Sequence, residues 1–412
     1  MDSQDAGPLG RSKDATLSSQ PPPSLFKGIE GARGWLAWAV VATHISVFTG
    51  LTKIVPHGVW LHIPGDDAVR VFIIISGFVI THLVLTKAEP YGLYIARRFL
   101  RIFPAYLVCL AIGILIAPLS VDAVETYRYS EPYQLRDFLI VAQQYHHHLW
   151  AHIVAHLLLL QGVLSDHVLP QSQMMFLPPA WSLSLEWQFY LVAPAWIYAL
   201  RRFPVVTVIG TLVAWQFWNR HLSGGYVMPS ALPASGLYFL IGMGSRLLIK
   251  YLPKTERYPF AQIIACAALA LLDKDFIPLV VWVALVAYFQ QPKTWPILDG
   301  ALAKAAGARS YSVYLLHIPL IYLGLYLSAR VLHLSLWWTE ALSIALTVLG
   351  VLIGSELIFR YVETPAINFA PLLGGQDRDE RAPKEKTKAD PIPGGLRPWR
   401  LRRPHQLRAG ED

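Results

Sequence analysis

Long apolar stretches recur from Trp35 to Phe359, and they constrain the fold more than any other feature of the sequence. Several are longer than a buried core helix needs, whereas a helix of about 20 apolar residues crosses a bilayer. Only 15% of the 412 residues are charged, against about 25% in soluble proteins. The sequence therefore predicts an all-α, polytopic helical membrane protein and excludes a secreted, fibrous or disordered chain.

Ten of these stretches are predicted to span the membrane. They are Trp35–Gly50, Val69–Thr86, Ile102–Leu119, Leu183–Leu200, Pro204–Trp218, Leu232–Ile249, Pro259–Leu272, Phe276–Gln290, Ser310–Leu332 and Leu336–Phe359. An eleventh candidate is Leu149–Leu164.

The distribution of positive charge favours ten spans over eleven. With ten spans and the N-terminus inside, 28 of the 35 Lys and Arg residues lie on the inner side, as the positive-inside rule predicts. We therefore expect both termini in the cytoplasm. Leu149–Leu164 then lies on the outer side, as an interfacial or re-entrant helix within an outer loop of about residues 120–181.

The two ends of the chain differ from its middle. Residues 1–27 and 374–412 are polar, so we expect disordered cytoplasmic segments, the second of them basic, around a ten-span domain of residues 28–369. The two cysteines, Cys109 and Cys266, lie inside apolar stretches. This placement excludes a disulfide framework and a zinc site built from cysteines.

His44 and Glu186 are ionisable residues inside predicted spans, where such groups are expensive and usually functional. Counted at 1.5 Å per residue, His44 lies about 16 Å above Arg33 and Glu186 about 22 Å above Arg201. The two residues are therefore expected at similar depth, where a carboxylate and an imidazole can act as a general base. A structural pair that braces two helices is the alternative.

Ser310, Tyr314 and His317 share one face of the ninth predicted span, by their i, i+4, i+7 spacing. Ser76 lies in the second span, beside Gly77, where it serves packing unless it faces a cavity. Arg98 and Arg101 share a face at the inner interface. They either anchor the helix to headgroups or clamp a phosphorylated ligand with bidentate hydrogen bonds.

His148, His152 and His156 follow each other at i, i+4, i+8. This spacing suits a metal site. However, no cysteine lies nearby, and histidines are common at membrane edges, so we predict no metal.

Six short motifs in chain order resemble those of acyltransferase family three, the integral-membrane O-acyltransferases that act on surface carbohydrates. The motifs are Arg33-x10-His44, the stretch Phe72–Phe78 ending in Ser-Gly-Phe, Arg98-x-x-Arg101 followed by Pro104, Trp181-Ser-Leu-Ser-Leu-Glu186-x-x-Phe-Tyr190, Tyr311-Ser-x-Tyr314-Leu-x-His317-x-Pro319, and Tyr361-Val-Glu363-Thr-Pro365. The resemblance extends over about Gly28 to Phe369. The order of the motifs in a chain with ten predicted spans makes it specific.

The resemblance implies transfer of an acyl group, commonly acetyl, from a cytoplasmic acyl-CoA to a hydroxyl of a carbohydrate. Typical acceptors are a surface polysaccharide, a lipopolysaccharide or an oligosaccharide. It also implies a multi-pass protein of a bacterial inner membrane. We expect no bound cofactor, acyl-CoA as co-substrate, the lipid bilayer and the carbohydrate as partners, and no nucleic acid. Polysaccharide-biosynthesis proteins are further candidate partners.

The resemblance also implies roles for the matching residues. His44 would take the proton from the acceptor hydroxyl or receive the acyl group itself, and the sequence leaves these two open. Glu186 and Arg33 complete the predicted catalytic set, with Arg33 assisting donor placement. Arg98 and Arg101 would bind the donor phosphates. Supporting roles fall to Ser76, Tyr314, His317 and Glu363.

Two other classes of function compete with this interpretation. A transporter or flippase for a glycan or a lipid-linked sugar also buries His and Glu side chains, which relay protons. A scaffold in a polysaccharide-export complex needs no catalytic residues. The ordered motifs favour the enzyme.

Overall fold

The computed structural model describes residues 26, 28–49, 65–87, 89–126, 132–249, 276–289 and 294–374. These residues form helices and connecting turns, with no β-strand among them. The all-α prediction is therefore confirmed. The predicted disordered ends fall almost wholly outside the described residues, and the predicted span Pro259–Leu272 falls outside them entirely.

The helices are numbered here in chain order. They are α1 (Ile29–Phe48), α2 (Gly65–Thr86), α3 (Tyr91–Thr126), α4 (Pro132–His147), α5 (Leu149–Leu157), α6 (Trp181–Arg202), α7 (Pro204–His221), α8 (Leu232–Leu248), α9 (Ile277–Phe289), α10 (Pro296–Asp299), α11 (Ala301–Leu325), α12 (Leu336–Ile358) and α13 (Thr364–Phe369). Two π-helical turns, Tyr326–Val331 and Phe359–Glu363, continue α11 and α12.

Four helical stretches are long and apolar enough to cross a membrane. They are Gly65–Thr86, Tyr91–Ser120, Ala301–Val331 and Leu336–Phe369. The shorter helix α9 is also apolar. The chain is therefore an all-α helical membrane protein. The number of ten spans stays a prediction, because one of the ten lies outside the described residues.

Helix α11 lies at the centre of the bundle and packs against α1, α3 and α12. Small residues allow the close approach of α1 and α11. A Cβ atom at Gly307 would run into the backbone carbonyl of Glu30, and one at Gly34 would lie 2.7 Å from the Gly307 nitrogen. Close backbone contact through glycines is a common way for helices to associate in membranes. It fixes the position of α1 relative to α11.

The segment around Leu149–Leu164 turns back into the bundle. Helix α5 has 9 residues and is about 14 Å long, too short to cross a bilayer. The chain after it is held by later residues: Ser184 Oγ donates to the Leu159 carbonyl (2.6 Å), and Ser230 Oγ donates to the Gly162 carbonyl (2.8 Å). These contacts hold the segment against the helix bundle, and the choice between an interfacial and a re-entrant arrangement stays a prediction.

Backbone strain concentrates in the same region. Leu159, Gln171 and Phe176 have φ angles of 55°, 54° and 56°, a left-handed conformation that residues with a Cβ atom adopt rarely. Such strain persists only where the surrounding contacts fix the backbone.

Candidate active site

A cavity of about 210 Å³ lies inside the bundle, between α1, α2, α3, α6 and α11. Six of the nine residues that the sequence singled out line this cavity. They are Arg33, Ser76, Arg98, Arg101, Glu186 and Tyr314. The other three residues do not line the cavity. Glu363 contacts Arg101, His317 contacts the Tyr314 carbonyl, and His44 contacts His317.

Glu186 is held in the cavity wall by two hydroxyl groups. Ser76 Oγ and Tyr190 OH both donate hydrogen bonds to Glu186 Oε1, at 2.8 and 2.6 Å. Tyr190 also contacts Arg98, whose guanidinium carbon lies over the tyrosine ring, 5.9 Å from its centre. Ser76 therefore faces the cavity and contacts a charged group, beyond its packing position beside Gly77. Tyr190 follows Glu186 at i+4, a spacing that places both on one helix face.

Three guanidinium groups meet at one end of the cavity. The Nε atoms of Arg33 and Arg98 are buried and find no hydrogen-bond partner among the residues that the structure describes. Arg33 lies close enough to Arg101 for the two charges to repel each other. Unpaired donors and repelling cations at one place favour an anionic ligand, which supplies the missing acceptors.

Glu363 positions Arg101 from behind the cavity. Arg101 Nη1 lies 3.3 Å from Glu363 Oε2, and Ser312 Oγ donates to Oε1 of the same carboxylate. The Glu363 side chain is only 1% exposed. It lies at the end of the π-helical turn Phe359–Glu363, and the wider turn shifts the residues after it relative to a regular α-helix. The tyrosine before Ser312, Tyr311, donates to the Ile102 carbonyl at 2.7 Å and lies beneath Arg101.

His44 and His317 form a hydrogen-bonded pair between α1 and α11. His317 Nε2 lies 3.0 Å from His44 Nδ1. His317 is fully buried, whereas His44 is half-buried. The ring of His44 also stacks on Phe48, with ring centres 6.1 Å apart. The histidine of the first span therefore has a partner on a neighbouring helix.

The expected depth match between His44 and Glu186 is wrong. Thr43 lies beside Gly65 at the N-terminal end of α2, while Glu186 contacts Ser76, which lies 11 residues, or about 16 Å, further along the same helix. Glu186 also interacts electrostatically with Arg33. Glu186 thus lies near the arginine-rich end of the cavity.

The error comes from the reference point used for α6. The expected depth of Glu186 is counted from Arg201, which is assumed to lie at the inner interface. However, Tyr91 at the start of α3 donates to the Leu191 carbonyl at 2.8 Å. Leu191 is therefore level with the N-terminal end of α3, and α6 continues about 15 Å beyond it to Arg201.

The helix face of Ser310, Tyr314 and His317 divides its contacts between the cavity and α1. Ser310 and Tyr314 line the cavity, and the Tyr314 hydroxyl lies 2.9 Å from Ser182 Oγ. The Tyr314 carbonyl accepts from His317 Nδ1 at 2.7 Å. Tyr314 thereby connects the cavity to the histidine pair.

Sequence reasoning did not single out Asp66, Ser182 or Tyr311. Asp66, in the first turn of α2, interacts electrostatically with both His44 and Tyr314. An acidic pair at the start of an apolar span was the available signal for it. Ser182 and Tyr311 belong to motifs that were already recognised, but only the packing shows that they line the cavity.

The histidines of α5 take part in packing. His152 and His156 are fully buried and lie edge-on to Phe176, with ring centres 6.4 and 5.1 Å apart. Across the described part of the chain, no group of three or more His, Cys, Asp or Glu side chains is arranged to hold a metal ion.

Comparison with known proteins bears on this site. A family model described as an acyltransferase domain, that of acyltransferase family 3, matches residues 26–359. Acyltransferase MdmB of Streptomyces mycarofaciens is 30% identical over 189 residues, which cover 45% of this chain and 43% of that protein. Protein 2 in the picA locus of Rhizobium radiobacter is 27% identical over 191 residues, which cover 43% of this chain and 78% of that protein. No solved structure matches the chain.

Proposed function

Because the chain belongs to the acyltransferase 3 family, whose model matches residues 26–359, we propose that it moves an acyl group from a cytoplasmic acyl-CoA to a hydroxyl of a carbohydrate. The expected acyl group is acetyl. The family and the name of the relative MdmB support acyl transfer in general. The donor and the acceptor are our proposal.

The arginine cluster at the inner end of the cavity is the observation that carries the choice of donor. Arg33, Arg98 and Arg101 place three positive charges where only Glu186 among the lining residues is acidic. Guanidinium groups bind phosphate oxygens in pairs, and they do so best where water is excluded. Acyl-CoA carries its phosphates at one end and its thioester at the other, so it is a ligand with an anionic end to match.

The size of the cavity indicates which part of the donor enters. At about 210 Å³ the cavity is smaller than the roughly 300–1,000 Å³ of a site for a whole drug-sized ligand. It accommodates the narrow arm that carries the thioester, while the nucleotide stays at the inner mouth with the arginines.

His44 is the proposed base at the far end of this path. It lies 11 residues, or about 16 Å, from Arg33 along α1. An extended acyl-carrying arm spans such a distance. A base that is partly shielded from water favours transfer to a sugar hydroxyl over hydrolysis of the thioester. Arg33 and Glu186 then act at the donor end.

Thioester turnover tests the proposal directly. The purified protein in lipid nanodiscs is mixed with acetyl-CoA and a candidate oligosaccharide, and free CoA is measured with a thiol reagent. Acceptor-dependent release of CoA is expected. A transporter or a flippase releases none, and a scaffold tolerates His44→Ala without loss of acylated product. Either result overturns the proposal.

Orientation in the membrane is a separate part of the proposal, with both termini in the cytoplasm of a bacterial cell. Gly92, at the start of α3, and Gly224, in the turn before α8, both have open space for a new side chain. In a protein with Cys109 and Cys266 replaced by alanine, Gly224→Cys should react with an impermeant maleimide on intact spheroplasts. Gly92→Cys should react only after lysis, and the opposite pattern would invert the topology.

A further inference from the structure

The hydrogen bonds around the His44–His317 pair determine where its protons lie. His317 Nδ1 lies 2.7 Å from the Tyr314 carbonyl. A carbonyl oxygen only accepts hydrogen bonds, so this nitrogen carries the proton. In a neutral imidazole the other nitrogen is then an acceptor. His317 Nε2 therefore presents a lone pair to His44.

The same reasoning assigns the protonation of His44. Its Nδ1 lies 3.1 Å from the Val40 carbonyl and 3.0 Å from His317 Nε2. Both neighbours are acceptors, so His44 Nδ1 carries the proton. The lone pair of His44 is left on Nε2, the nitrogen that takes no part in these bonds.

Burial separates the roles of the two rings. His317 is fully buried, with no exposed surface, whereas His44 is half-buried. Only His44 is within reach of a substrate. Its ring is also held by Phe48 on one side, and the glycine contacts between α1 and α11 fix the backbone to which it is attached.

We propose that His317 is a positioning residue that holds His44 in the tautomer with a free lone pair on Nε2. This inference rests on the proposed acyl transfer. The acceptor O–H proton passes to His44 Nε2, the oxygen attacks the thioester carbonyl, and the C–S bond breaks to release the CoA thiolate. His44 Nε2 then gives its proton to that thiolate. While His44 is charged, its Nδ1–H donates to the His317 lone pair.

The charged state of His44 is also influenced by its other neighbours. From α2 the Asp66 carboxylate attracts the imidazolium, and from α11 the titratable group that faces it is His317, which is neutral in this arrangement. Loss of the His317 acceptor removes a hydrogen bond that is stronger to the charged ring than to the neutral one. The base then becomes harder to protonate.

Replacement of His317 by leucine and by glutamine tests the proposal. His317→Leu fills the site without an acceptor and should lower kcat about 10–100-fold, as expected for a hydrogen bond to a charged group. The KM for acyl-CoA should stay unchanged, because the arginines are untouched. The acidic limb of the pH–rate profile should move to lower pH. His317→Gln keeps an acceptor oxygen and should recover most of the rate.

A double variant separates positioning from a general structural role. If His317 acts through His44, adding His317→Leu to His44→Gln should slow the enzyme no further. His221→Leu, on the exposed end of α7, is the matched control and should behave as wild type. Should the leucine variant fail to insert, His317→Asn replaces it, since its shorter amide stays polar but falls short of His44.

The outcomes distinguish the two proposals. Full activity and an unshifted pH profile in His317→Leu, with active wild-type protein, overturn the positioning role alone. Equal losses in the leucine and glutamine variants, with a raised KM, indicate a bracing pair and also overturn it. Absence of thioester turnover in the wild type overturns the proposed acyl transfer, and the positioning role falls with it.

Discussion

The two ends of the proposed reaction path differ in how their polar groups are satisfied. At the inner end Arg33, Arg98 and Arg101 bring several positive charges together, and buried Nε atoms have no partner in the described structure. At the other end, in the proposed arrangement, His44 Nδ1–H donates to His317 Nε2, and His317 Nδ1–H donates to the Tyr314 carbonyl. The first end suits the binding of an anion, and the second suits the acceptance of a proton.

This difference indicates a division of labour along α1. A cluster of cations with free hydrogen-bond donors binds an anion strongly but does not orient a proton transfer, whereas a neutral, hydrogen-bonded histidine pair orients the transfer without binding an anion. The two needs conflict at one place, because nearby cations would keep an imidazole from accepting a proton. A separation of about 16 Å along the helix removes that conflict.

The largest effect should follow from removal of the base. His44→Ala should leave the protein inserted but lower acyl transfer about 10²–10⁴-fold, as is typical for general-base catalysis. CoA release at equal membrane levels measures it, with His221→Ala as control. Binding of acyl-CoA should not change. A loss of less than about tenfold, or near-wild-type turnover in His44→Gln, would indicate a packing role instead.

Removal of the donor arginines should produce the complementary result. Arg98→Ala with Arg101→Ala should weaken acyl-CoA binding by about 10–100-fold, given that a hydrogen bond to a charged group contributes about 1.5–3 kcal/mol. Added salt should reproduce part of the loss, and Arg→Lys should restore part of it. Equilibrium binding measures the change. A double variant of the exposed residues, Arg201→Ala with Arg202→Ala, is the control. An unchanged affinity in the Arg98→Ala, Arg101→Ala protein would indicate that these two residues only anchor the helix to the membrane.

A change in helix packing should affect both ends at once, because α1 carries Arg33 and His44. Gly307→Ala would press against the Glu30 carbonyl and should destabilise the protein by about 1–3 kcal/mol, as overpacking does. Thermal unfolding measures the stability, and both turnover and donor affinity should fall. Gly244→Ala is matched to it, since nothing lies within 4 Å of that position. Equal unfolding temperatures would contradict the close contact.

The smallest effect is expected at Asp66. This carboxylate is exposed and acts on His44 only through space. Interactions between exposed charges contribute about 0–1 kcal/mol, so Asp66→Asn should lower kcat at most about fivefold and should do so less at high salt. Asp122→Asn, exposed near the outer end of α3, is the control. A loss as large as that of His44→Ala would make Asp66 a direct partner of the base.

The sequence predicts residue types and single helices better than it predicts neighbours. The sequence could identify Arg98, Arg101 and Ser76, because charged and polar residues in apolar helices are costly and usually serve a function. All three line one cavity. The partner of His44 could not be found in this way. Spacing gives depth along one helix only, whereas the extension of α6 beyond Leu191 depends on how it packs against Tyr91.

The position of the segment Leu149–Leu164 has a consequence for the order of assembly. Its backbone carbonyls at Leu159 and Gly162 are satisfied by Ser184 and Ser230, which are synthesised later. Both carbonyls belong to buried residues, where water does not replace these partners. The segment therefore reaches its final place only after the ribosome has passed Ser230 and α6 has formed, so this part of the bundle is completed after two of the helices that it contacts.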